Sequence, residues 1–186
     1  PIVIDPVGVS GSSYRRKKCL ELMKIIHPTC IRGNYSEIQA LLHNCGTVTG
    51  VDAAEDALAE AEETDLPELM KQYAKENQMI LVASGETDLI TDGSCVYQCH
   101  NGSPMMARIT GSGCMSTVML GAFFSAENSV ESAVACCAFT GIAGELAAKE
   151  MTAQKRGTMT FRNWFIDAVS LMTPEQLEHG TNVDWF

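Results

Sequence analysis

The run Met79-Ile80-Leu81-Val82-Ala83 is apolar at every position and stops abruptly at Ser84-Gly85. A strand without polar alternation must be covered on both faces. Other short apolar runs recur, separated by helical spacing. Residues 1–4 read as a buried strand that ends at Asp5-Pro6-Val7-Gly8. Residues 12–26 have helical spacing, with Cys19, Leu22, Met23 and Ile26 on one face. Residues 28–31 form a second strand, stopped by Arg32-Gly33, and Asn34 caps a helix through Leu42. Residues 44–51 read as a loop, and the acidic, alanine-rich stretch 52–63 as a helix with a solvated face. Pro67 starts a helix to about Asn77. After the apolar strand, residues 89–91 and 94–99 form a hairpin around Asp92-Gly93. Three helices follow, near 113–126, 129–151 and 158–172, then a polar tail over 173–186.

Strands alternating with helices define an α/β protein, with a mostly parallel sheet between two helical layers. The 186 residues, 46% of them hydrophobic, suit one domain over 1–186 with one sizeable core. The formal charge of -10 argues against nucleic-acid binding. No apolar run is read as long enough to cross a bilayer, and no signal peptide is recognised. Eight cysteines are scattered through apolar segments, the usage of reduced thiols in a cytoplasmic core. Cys95 and Cys99 share a strand face but lack a second ligand pair for zinc. The four histidines show no ligand spacing and read as structural or exposed. Pro1 opens an apolar run with no initiator methionine, so the chain is expected to start within a fold.

In sheets of this kind ligands sit beyond the carboxyl ends of the strands. Ile109-Thr110-Gly111-Ser112-Gly113-Cys114 turns into an apolar helix there. Such a turn can aim backbone N–H groups and the helix dipole at one anion. Cys114 stands at the helix entrance, where a thiol's sulfur is exposed and its thiolate favoured. Asn34 and Glu37 are three residues apart on a first helical turn. They read either as a capping box or as a carboxylate for magnesium, with Asp5 as the second one. Arg32 is either a phosphate clamp or half of a surface ion pair. The Ser84 hydroxyl is either a phosphate contact or an ordinary turn group.

Four motifs occur in order: Asp5-Pro6-Val7-Gly8, Ile31-Arg32-Gly33-Asn34-x-Ser36-Glu37, Ser84-Gly85-Glu86-x-Asp88-x-Ile90-Thr91-Asp92-Gly93, and Ile109 through Met115. Together they resemble the hydroxyethylthiazole kinases of the ribokinase-like superfamily, from Pro1 to about Leu171. The cysteine at position 114 separates these kinases from pyrimidine or pyridoxal kinases and hydrate dehydratases, which carry Asp there. The resemblance implies a three-layer α/β/α sandwich that transfers the ATP γ-phosphate to the alcohol of 4-methyl-5-(2-hydroxyethyl)thiazole, a thiamine salvage step. It implies that Arg32 and Ser84 contact ATP, that Asp5 and Glu37 serve Mg²⁺, and that Gly111 contacts the thiazole. Gly111, Ser112 and Gly113 would form the anion hole, with Cys114 beside the substrate hydroxyl. It further implies a homotrimer with active sites between subunits, and an absent amino-terminal third. Ser84 stands where members carry Thr, which keeps the hydroxyl. A non-catalytic nucleotide-binding subunit is the reading from another class.

Overall fold

The computed structural model describes residues 1–45 and 66–186. Of the loop expected over 44–51, residues 44 and 45 instead continue a helix, and the remainder, with the acidic stretch 52–63, lies outside the described residues. The elements run β1 (Val3–Ile4), α1 (Ser13–Ile26), β2 (Cys30–Asn34), α2 (Tyr35–Cys45), α3 (Leu66–Asn77), β3 (Ile80–Ser84), β4 (Asp88–Thr91) and β5 (Val96–Cys99). A short 3-10 helix (Pro104–Arg108) leads to α4 (Ser112–Ala126), α5 (Val130–Ala153), α6 (Thr158–Leu171), α7 (Pro174–Gly180) and β6 (Val183–Trp185).

The six strands lie in the order β1-β2-β3-β4-β5-β6. Pairing is parallel from β1 to β3 and antiparallel from β3 to β6. The α/β class holds, but the sheet is mixed, because two consecutive tight connections reverse the chain after β3. Both faces of the sheet are covered, as expected. Ile31, Leu81, Ala83, Leu89 and Val96 face a core built with Met23, Ile38, Leu41 and Met70. Cys30, Ile80, Val82, Ile90 and Cys99 face the opposite core, with Leu120, Phe124, Ala133 and Cys136. A third cluster around Phe161 and Phe165 joins α5 and α6 to Ile109.

Several expectations change. The first strand is a two-residue edge, and Ile2 is 46% exposed rather than buried. Leu22 is exposed too, so the buried stripe of α1 runs through Cys19, Leu20, Met23 and Ile26. The expected polar tail is a helix and a strand. Thr173 and Gln176 close a capping box on α7, and β6 pairs with β5 through Tyr97↔Trp185 and Cys99↔Val183. Helix α5 is long and apolar enough to cross a membrane, contrary to the sequence reading. Its apolar surface meets the protein itself, since most of it is buried among its neighbours.

Candidate active site

Three parallel strands put their carboxyl ends on one edge of the sheet. Asp5 follows β1, Arg32 and Asn34 end β2, and Ser84 ends β3. The two reversals bring the start of β4, the end of β5 and the start of β6 to the same edge. A cavity of about 920 Å³ opens there. It is bordered by Asp5, Arg32, Glu37 and Ser84, and by Gly111, Ser112, Gly113 and Cys114 from the start of α4. Every candidate site residue that the resemblance implied therefore borders one space.

The glycine turn is built as its sequence implies. Gly111 is the N-cap of α4 at φ +96°, ψ -3°, a left-handed conformation that disfavours a side chain, and it supplies no capping group. The first N–H groups of α4 are thus left to the cavity. Cys114, in the first turn, is exposed. Gly113 faces Arg32 closely: a Cβ there would come within 2.9 Å of Arg32 Nη1. The guanidinium is half-buried and has no ion-pair partner among the described residues. A half-buried cation beside a helix N-terminus is the electrostatic complement of an anion.

The carboxylates are more committed. Glu37 Oε2 accepts from Asn34 N at 3.0 Å, while Asn34 Oδ1 accepts from Glu37 N at 2.9 Å. The capping box is therefore formed. Glu37 Oε1 also accepts from Gly8 N at 2.8 Å, tying the turn after β1 to α2. Asp5 Oδ2 accepts from Thr117 Oγ1 at 2.9 Å. Ser84 Oγ donates to Gly33 O at 3.2 Å. Among the described residues, four carboxylates (Asp5, Glu37, Glu86 and Asp88) border the cavity with a single arginine. Among the described residues no three carboxylate, histidine or cysteine side chains converge on one point, so a divalent cation at this wall would take few protein ligands and keep water or anion oxygens.

Two groups escaped the sequence reading. Asp88, at the start of β4, accepts from Gly85 N at 3.0 Å and so fixes the turn after Ser84. Burial pushes its carboxyl up to about 6, although the Gly85 N–H and the Arg32 guanidinium pull the other way. His100, immediately after β5, borders the cavity and is held on both sides. Nδ1 lies 3.2 Å from Thr87 Oγ1, and Nε2 lies 3.2 Å from Asp184 Oδ2. These partners are 13 and 84 residues away, so spacing could not show them. The signal available was its place after a strand that returns to the ligand edge. The buried thiols are of a different kind from Cys114. Burial pushes Cys136 up to about 12 and Cys99 up to about 11, which keeps them protonated.

Such an edge, with helices on both faces and an uncapped helix N-terminus beside a cavity, defines an α/β protein whose candidate site lies beyond the carboxyl ends of its parallel strands. The model of the hydroxyethylthiazole kinase family matches residues 1–175. Hydroxyethylthiazole kinase 1 of Methanosphaera stadtmanae is 38% identical over 177 residues, covering 91% of this chain and 62% of that protein. The hydroxyethylthiazole kinase of Desulfotalea psychrophila is 35% identical, covering 98% and 64%. That of Clostridium acetobutylicum is 34% identical, covering 99% and 68%. The solved structure of the hydroxyethylthiazole kinase protein from Pyrococcus horikoshii aligns with a TM-score of 0.80 and 26% identity, over 100% of this chain and 65% of that one. This chain belongs to the hydroxyethylthiazole kinase family. It spans 62% and 64% of the length of the first two relatives.

Proposed function

We propose that the protein is a phosphotransferase that moves the γ-phosphate of ATP to the hydroxyl of 4-methyl-5-(2-hydroxyethyl)thiazole. The observation that carries this reading is the Arg32 guanidinium, without an ion pair among the described residues, lying against Gly113 beside the uncapped start of α4. Family membership supplies the acceptor.

Phosphoryl transfer asks mainly for positioning and charge neutralisation. Arg32 would clamp phosphate oxygens, and the Ser84 hydroxyl would turn from Gly33 O to a phosphate. The N–H groups of Gly111, Ser112 and Gly113 would hold the oxygens of the transferring group, and Gly111 would contact the thiazole. Mg²⁺, held by Asp5 and Glu37 directly or through water, would offset the charge of the phosphate chain. Cys114 would stand beside the acceptor alcohol, as base or as hydrogen-bond partner. A loose transition state asks little of that group, which is why a thiol suffices. Homotrimeric assembly and a cytoplasmic location complete the reading, and both rest on the family resemblance.

The test is ATP consumption by purified protein with Mg²⁺. Added hydroxyethylthiazole is expected to stimulate it, and hydroxymethylpyrimidine to leave it unchanged. A protein whose melting temperature rises with ATP but which never consumes it would instead be a nucleotide-binding subunit.

A further inference from the structure

The end of the cavity away from α4 is built differently. Gly85, Ser103 and Gly102 give it small walls, and no Phe, Tyr or Trp borders the cavity among the described residues. His100 is the planar ring that borders it, while the ring of Tyr35 packs behind Gly85 with its hydroxyl donating to Thr87 O. Both of its ring nitrogens are engaged, by Thr87 and by Asp184. A ring tied at both nitrogens has no free polar atom to offer a ligand, so what remains is its face.

The floor beneath it is fixed from a second direction. Asn101 Nδ2 donates to Glu145 Oε1 at 3.1 Å and to Gly180 O at 2.8 Å, and Asn101 Oδ1 accepts from Asn182 N at 2.8 Å. Gly102 N donates to the same Glu145 oxygen at 2.9 Å. The ring is thus held in place before any ligand arrives, which lowers the entropy cost of using it. Along the sheet edge, β2 carries Arg32 and β5 carries the strand end before His100, three strand spacings away. That is about 14 Å, room for the inner phosphates and the ribose of a nucleotide whose γ-phosphate lies at α4.

We propose that His100, held between Thr87 and Asp184, is the stacking platform for the base of the nucleotide. The inference rests on the phosphotransferase reading and adds where the base sits and which residue holds it.

The test measures binding by the full chain of two probes, MgATP and magnesium tripolyphosphate, the second carrying phosphates without a base. His100→Ala is expected to weaken MgATP about tenfold, a typical share of base–aromatic stacking, and to leave tripolyphosphate unchanged. His100→Phe, which keeps a ring and loses both nitrogens, is expected to recover most of the ATP affinity, and this guards against a merely misfolded alanine variant. Equal losses for both probes, no loss for either, or no recovery with Phe would each overturn the platform. A wild-type protein that binds neither probe would overturn the phosphotransferase reading itself. Binding of both probes with His100→Ala indistinguishable from wild type would remove the platform alone.

Discussion

The two halves of the sheet meet the cavity differently. The parallel half, β1 to β3, ties down Asp5, Glu37 and Ser84 but leaves its cation open. Arg32 has no ion pair among the described residues, and the start of α4 above it is uncapped. The antiparallel half, β4 to β6, presents groups bound to one another. Asp88 holds Gly85 N, His100 is fixed by Thr87 and Asp184, and Asn101 is fixed by Glu145 and Gly180. Unsatisfied charge beside N–H donors is costly without a ligand and strong with one. Satisfied groups give a rigid wall. The open cation and the uncapped start of α4 on the parallel side thus stand beside a rigid wall from the antiparallel side.

The sharpest way to test this division is at its seam. Asp88 titrates near 6 in the fold against an ordinary 3.8. Between those values the folded state holds a proton that the unfolded chain has released. Its contribution to stability is full below the lower value and is lost as pH rises through 6, by about 3 kcal/mol. Asp88→Asn is expected to be stabilised relative to wild type at pH 7 and not at pH 4, in chemical denaturation at both pH values. Arg32→Ala breaks the open half. Loss of a charge-assisted contact is expected to lower kcat/KM for ATP about 10- to 100-fold, with the melting temperature little changed. Cys114→Ala is expected to lower kcat about tenfold with KM for ATP unchanged, while Cys114→Asp keeps the rate, as steady-state kinetics would show. An unaltered Cys114→Ala rate would remove the thiol from the chemistry. The smallest effect belongs to Gly111→Ala. Its Cβ meets no atom within 4 Å, so only the positive φ opposes it, at about 1 kcal/mol of stability.

The parallel half was also the more legible in the sequence. Residues 79–83 and 30–31 are apolar on both faces because helices cover both, and the turn residues after them are those of the ligand edge. Glu37 admitted two readings. The structure forms the capping box and adds Gly8 N, a contact across 29 residues that no local pattern reveals. The antiparallel half was concealed. Residues 173–186 are polar because β6 is an exposed edge strand, with Asp184 and Trp185 facing solvent, so they carry no buried-strand signal. Without β6 the partner of His100 is missing, and the histidine looked like one more surface residue. Long-range pairing, rather than composition, made that half of the site.

The most direct measurement is the fate of the γ-phosphate, followed by ³¹P NMR in a mixture of protein, Mg²⁺, ATP and hydroxyethylthiazole. The account predicts a new phosphomonoester resonance that grows as ATP is converted to ADP and is absent when the thiazole is omitted. Release of inorganic phosphate alone, or ATP left intact with the thiazole present, would contradict it.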